Sequence, residues 1–155
     1  MKLFRIAKAK RINDLSGEGA QLYGGRWNEK GVSIIYASET RSLAALEYLV
    51  HVPMAIVPTD LSISQLNLPD SILPLQVDIS SLPSNWRGYP PPQTLASIGT
   101  KWILSNQSLL LRVPSAVIEQ DYNILINPAH HDFKLIEVPR PEPFAFDSRL
   151  FQQIT

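Results

Sequence analysis

The chain has 155 residues, a hydrophobic fraction of 45% and no cysteine; Lys+Arg and Asp+Glu each total 14, so the formal net charge is zero. These figures suit one domain with a real core, and they exclude disulfides, thiolate metal sites and a cysteine nucleophile. Zero net charge argues against an unaided grip on DNA or RNA, which normally rests on excess positive charge.

Lys2, Arg5, Lys8, Lys10 and Arg11 form a basic cluster near the start. It reads as a solvated face or a mobile leading segment rather than a phosphate grip. The N-terminus has no continuous apolar run of about 7–15 residues, so no secretory signal is expected. No stretch of roughly 18 apolar residues offers a membrane-spanning helix. A single-domain cytoplasmic protein is therefore expected, and the absence of cysteine fits that compartment without fixing it.

The stretch Gly24-Gly25-Arg26-Trp27-Asn28 comes next. Two glycines permit positive φ angles and close backbone approach. Arg26 follows with a planar, permanently charged fork suited to phosphate or carboxylate. A turn with an exposed arginine has the same pattern. Trp27 belongs in the core or a pocket wall, and Asn28 in the shape of the turn.

Residues 32–37, β-branched and aromatic, read as a strand. Tyr36, at its end, is either core or a ring on which a flat ligand stacks. Ser38-Glu39-Thr40 offers N-cap chemistry to a helix over 41–51 that Pro53 ends. Leu43, Glu47 and Val50 fall on one stripe of that helix, flanked by Leu46. A carboxylate on a mostly apolar face needs a partner or a purpose; a glutamate at the stripe's edge or in a structural ion pair satisfies the same pattern. His51 lies four residues on, within reach of Glu47, and taken alone suits a cation at the helix C-terminus.

All 13 prolines lie from Pro53 onward, favouring short strands and irregular connections there. Residues 54–61 look extended, with Pro58 marking an edge. Residues 80–92 form a loop. Leu95, Ile98 and Trp102 recur at helical spacing, giving a helix over 93–103. Strands are expected over 108–113, 123–126 and 134–138, with a last one over 144–146. Ser115, at a strand end, can hydrogen-bond a ligand or cap a turn, and it lacks the G-x-S-x-G elbow of a nucleophile. His130-His131 shows no metal-ligand spacing, and Asn127-Pro128 is a turn. Many short strands with few helices indicate an α+β fold. No strand leads into GxGxxG, so a dinucleotide fold of that type is excluded.

Arg26, Glu47 and Ser115, in the settings G-G-R-W-N, L-A-A-L-E and V-P-S-A-V, together resemble the RES domain family, named for its Arg, Glu and Ser. The likeness extends through Phe4-Arg5-Ile6, Gly17-x-Gly19-Ala20, Ile35-Tyr36-Ala37-Ser38, Asn123-x-Leu-Ile-Asn-Pro128 and Phe146-Asp147-x-Arg149-Leu150-Phe151, nearly the whole chain as one domain. His131 and Ser148 stand where the family often has proline. The resemblance implies an ADP-ribosyltransferase-like fold, with two small β-sheets packed around an NAD cleft and helices at the side. It implies a toxin of a bacterial toxin–antitoxin pair whose partner carries an Xre-type helix-turn-helix domain, with any DNA contact made through that partner, and self-association as a dimer. The implied activity is destruction of NAD by phosphorolysis or hydrolysis of the nicotinamide–ribose bond, with inorganic phosphate as co-substrate and no metal. Protein ADP-ribosylation is the alternative chemistry, and a non-catalytic antitoxin-binding module the alternative of another class. In this scheme Arg26 clamps phosphate and Tyr36 stacks on nicotinamide. Glu47 stabilises the cation formed on the ribose, and Ser115 holds Glu47 or the ribose. His51 and Asn127 orient Glu47 or bind phosphate.

Overall fold

The computed structural model describes residues 1–53 and 55–151. Its elements in chain order are β1 (Lys2–Lys8), α1 (Glu18–Tyr23), β2 (Ile35–Ser38), α2 (Arg41–Leu49), β3 (Leu61–Asn67), β4 (Leu75–Gln76), α3 (Gln93–Ser105), β5 (Leu110–Pro114), β6 (Tyr122–Ile126) and β7 (Glu142–Phe144), with short 3-10 turns between them. The fold is α+β, as expected.

The strands run β4-β5-β6-β2-β1-β3-β7 in a seven-stranded sheet. Only β4 and β5 pair in parallel; the other neighbours are antiparallel. β1 matches β3 along its full length, from Lys2–Asn67 to Lys8–Leu61. By contrast β1 meets β2 at one residue pair, Phe4 with Ser38. The strands thus form one continuous sheet rather than the two small sheets implied by the resemblance, and its β1–β2 seam rests on that single registered pair. Residues of both seam strands line a cavity.

Alternation of side chains explains the layering, since successive residues of a strand point to opposite faces. Ile124 and Ile126 join Leu3, Ile35, Leu66 and Leu110 in one core. Leu125 joins Leu111, Val113, Trp27, Trp86, Leu95 and Trp102 in the other. Both faces of the central strands are therefore covered, and each fully buried aliphatic side chain contributes about 1.5–3 kcal/mol. α3 packs Leu95 and Trp102 on the second face. α2 lies over β1 and β2. Its start is the expected one: Thr40 accepts a hydrogen bond from the Leu43 amide at 3.0 Å.

Four further expectations are corrected. The basic leading segment is not a mobile lead but a central strand, β1, with Leu3 wholly buried; Lys2, Lys8, Lys10 and Arg11 are exposed, so the solvated-face reading of the charges stands. The apolar stripe of α2 is shifted, so that Leu43 and Ala44 are buried while Val50 is 56% exposed. The extended segment after Pro53 forms its strand only from Leu61, and that strand lies between β1 and β7 rather than at an edge; Met54 lies outside the described residues. The strand expected over 134–138 is replaced by a 3-10 turn, His131–Leu135, and only Glu137 bridges to Asn67. There His130 Nδ1 accepts the Asp132 amide hydrogen bond, and this local capping starts a turn. Among the described residues no helix is long and apolar enough to cross a membrane.

Candidate active site

The turn that carries Arg26 is locked by its neighbours. Gly24 has φ +69°, and the amide of Gly25 donates to the Asn28 carbonyl at 3.0 Å. A Cβ on Gly25 would stand 2.7 Å from the Tyr36 hydroxyl oxygen, so only glycine lets the turn sit on that tyrosine. Tyr36 Oη donates to Asn28 Oδ1 at 2.6 Å and accepts from the Trp27 amide at 3.1 Å. Asn28, 1% exposed, donates through Nδ2 to the carbonyls of Ala20, Glu29 and Val32. Burial holds the phenol of Tyr36 well above its ordinary pKa, against the opposing pull of the Trp27 amide and Arg26. On the other side, Gly99 of α3 lies against Trp27; a Cβ there would come within 1.7 Å of the Trp27 carbonyl oxygen.

Arg26 leaves this turn with little freedom. Its Nη1 donates to the carbonyls of Trp86 at 2.8 Å and Gly88 at 3.1 Å. Nε and Nη2 make no hydrogen bond among the described residues. Partial burial lowers its pKa, while Glu47, Tyr36 and Tyr89 act in the opposite direction. An arginine nevertheless remains a cation.

Glu47 is held by side chains. Its Oε1 accepts from Ser115 Oγ at 2.7 Å and from Asn123 Nδ2. Ser115 is fully buried, and its Oγ also accepts from the amides of Val117 and Ile118. Two donors on that oxygen leave its single proton for the carboxylate. Asn123 is oriented in turn, because its Oδ1 accepts from Ser38 Oγ at 2.6 Å. Register explains the meeting: Ser38 and Asn123 are directly paired across β2 and β6, and Val113 pairs with Asn123 one strand further. Ser115 follows at the end of β5, within hydrogen-bond reach of Glu47 on α2.

A cavity of about 380 Å³ opens at the seam, within the size range of small-molecule sites. Phe4, Arg5, Tyr36, Glu47, Tyr48 and His51 are among its lining residues. Arg26 does not line it; the turn carrying Arg26 abuts it through Tyr36. Ser115 stands behind Glu47. His51 is exposed, lines the cavity and makes no side-chain hydrogen bond among the described residues. Asn127 is elsewhere: buried, it donates to Asn106 Oδ1 and accepts from the Ala129 amide, so it shapes the turn after β6. The residue that reaches Glu47 is Asn123, four positions earlier and within β6.

Sequence reasoning passed over Asn123 and Arg5. Arg5 Nη1 donates to the Ile12 carbonyl at 2.9 Å, and burial lowers the arginine's pKa against the pull of Asp14. The signal available was the apolar pair Phe4 and Ile6 around it, which marks a strand rather than a solvated tail. His130, His131 and Asp132 bring possible ligand atoms within 4.8 Å of one another. The lone pair of His130 Nδ1 is taken by the Asp132 amide, so the trio is a stacked turn cap outside the cavity.

The RES domain model matches residues 2–147. A protein named Toxin Res from Yersinia enterocolitica is 40% identical over 152 residues, covering 97% of this chain and 99% of its own. A protein named Prs ADP-ribosylating toxin from Sphingobium sp. is 36% identical over 150 residues, covering 95% and 92%. In structure, the chain is similar to a crystal structure of the MbcT-MbcA toxin-antitoxin complex of M. tuberculosis, with a TM-score of 0.74 and 15% identity, over 93% of this chain and 84% of that one. With its Arg26, Glu47 and Ser115 in the settings described above, the chain belongs to the RES domain family.

Proposed function

We propose that this protein is the toxin of a toxin–antitoxin pair and that it breaks the nicotinamide–ribose bond of NAD. The observation that carries the reading is Glu47: one carboxylate oxygen held by Ser115 and Asn123, on the wall of a cavity, close enough to Arg26 to favour the guanidinium's charge. In this reading the open N–H groups of Arg26 bind phosphate, either the pyrophosphate of NAD or an incoming inorganic phosphate. The ring of Tyr36, whose hydroxyl is tied back to Trp27 and Asn28, stacks on nicotinamide. Glu47 accepts a hydrogen bond from the ribose and faces the positive charge that develops there.

The bond between ribose C1′ and the pyridinium nitrogen breaks with its electron pair passing to nitrogen. Nicotinamide therefore leaves neutral, and no strong general acid is required. The ribosyl cation left behind is stabilised by the carboxylate, an electrostatic role that is largest in a water-poor site. An oxygen of phosphate closes on C1′ to form ADP-ribose 1-phosphate; water instead forms ADP-ribose and releases a proton. Incubating the purified protein with NAD, with and without phosphate, and identifying the sugar product distinguishes these acceptors. Intact NAD after prolonged incubation contradicts the reading.

A second reading has its own support. One relative carries the words ADP-ribosylating toxin in its name. The same cation attacked by a protein side chain yields a labelled protein instead of a free sugar, and radiolabel from NAD in a macromolecule identifies that route. An antitoxin with an Xre-type helix-turn-helix domain is the partner proposed, supported by the toxin–antitoxin pairing in the related structure and by the zero net charge that leaves DNA contact to a partner. Adding that partner should protect NAD; turnover at full rate in the complex overturns inhibition by covering the cleft.

A further inference from the structure

The loop that holds Arg26 and the turn that holds Glu47 are themselves tied together by one side chain. Trp86 and Gly88 supply the two carbonyls that fix Arg26. Between them in sequence stands Arg87, whose fork points the other way. Its Nε donates to the Ala116 carbonyl at 3.1 Å, its Nη2 to the Val117 carbonyl at 3.4 Å, and its Nη1 to Glu119 Oε2 at 3.3 Å. Those acceptors belong to the turn that begins at Ser115. That turn is closed by Val117 and Ile118 donating to Ser115 Oγ, the hydroxyl that in turn donates to Glu47.

We infer that Arg87 is a positioning residue: it clasps the 86–88 loop to the 115–119 turn and so fixes the relative placement of the Arg26 guanidinium and the Glu47 carboxylate. Substrate contact is not part of its role. Its catalytic use rests on the proposed NAD chemistry. The clasp itself rests only on the hydrogen bonds above.

Geometry separates this role from that of an ordinary surface charge. Arg87 is exposed and its ion pair with Glu119 is open to solvent, and pairs of that kind contribute about 0–1 kcal/mol. The two carbonyl contacts are different, because a planar fork meets two main-chain acceptors in a fixed relation that an ammonium cannot reproduce. Lysine at this position keeps the charge and loses the fork. A clasp therefore fails in both Arg87→Ala and Arg87→Lys, whereas a charge effect survives in Arg87→Lys.

The test uses both variants in the full chain. Hydrogen exchange in the absence of NAD should quicken in residues 84–90 and also in 115–119, although the substitution lies in only one of them. Under saturating NAD, kcat should fall about tenfold in both variants, less than the roughly 100-fold that a 1 Å misplacement costs. Combining Arg87→Ala with Ser115→Ala should cost less than the product of the two single effects, because both act on one chain of contacts. Unchanged exchange at 115–119, a wild-type kcat, or full rescue by Arg87→Lys each overturns the proposal. A wild-type protein that leaves NAD intact breaks the functional reading and, with it, the catalytic use of Arg87; exchange at 115–119 then decides the clasp alone.

Discussion

Glu47 and Arg26 lie close enough for the carboxylate to favour the guanidinium's charge, yet they are held by different means. The carboxylate is fixed by side chains, Ser115 and Asn123, which deletion of single groups can loosen. The guanidinium is fixed by main chain: two carbonyls on one side, and a turn braced by Tyr36, Asn28 and Gly99 on the other. Main-chain acceptors cannot be removed by substitution, so the Arg26 side yields only when its supports are displaced. The carboxylate wall should therefore respond to mild substitutions in activity, and the guanidinium wall to steric ones in stability as well.

The largest effect expected is on Arg26 itself. Arg26→Ala removes the charge together with its two hydrogen bonds to the Trp86 and Gly88 carbonyls, and NAD turnover should drop on the order of 10²–10³-fold, the scale for one electrostatic contact in an active site. Steady-state rates on protein with an unchanged circular dichroism spectrum check this. Gly99→Ala attacks the same wall from behind. A methyl group 1.7 Å from the Trp27 carbonyl oxygen forces α3 and the turn apart, at about 1–3 kcal/mol as for other overpacked sites. Urea unfolding should show the loss, and turnover should fall with it. Unaltered stability in Gly99→Ala contradicts the bracing described here.

Ser115→Ala probes the opposite wall and should lower activity more than stability, which falls too because the Val117 and Ile118 amides also lose their acceptor. Glu47 keeps Asn123 and loses its hydroxyl donor, a hydrogen bond to a charged group of about 1.5–3 kcal/mol in such settings. Turnover should fall more than tenfold while the unfolding midpoint moves by a few degrees. The smallest effect is seen only at high pH. Burial raises the pKa of Tyr36 in the folded protein, so the unfolded chain loses that proton first. The resulting stability is complete below the ordinary tyrosine value of about 10 and is lost as pH rises beyond it. The stability advantage of wild type over Tyr36→Phe should thus shrink between pH 9 and pH 11 as a rough window; an advantage that grows over that range contradicts the burial argument.

Much of this was legible in residue patterns. The Thr40 cap, the helix over the forties and the apolar runs of β5 and β6 follow from local propensity and period. Glu47 stood out because a carboxylate faced an apolar stripe. What escaped was set by partners far away in the chain. β1 looked like a charged lead because pairing with β3, some sixty residues later, is invisible to a local reading. Arg5 is desolvated only because the chain turns back at Ile12. Asn123 and Asn127 have the same strand parity, so alternation alone cannot say which end of β6 meets α2. The 134–138 segment has the composition of a strand, but the cap at His130, just before it, draws its first residues into a 3-10 turn, and it bridges β3 at Glu137 with Asn67.

The central claim is that Glu47 stabilises the ribosyl cation of NAD. The most direct test is release of nicotinamide from NAD by purified wild-type and Glu47→Gln proteins of matched folded content. Release by wild type, with loss on the order of 10²–10³-fold in Glu47→Gln, is the predicted result. Equal release by the two proteins contradicts the account.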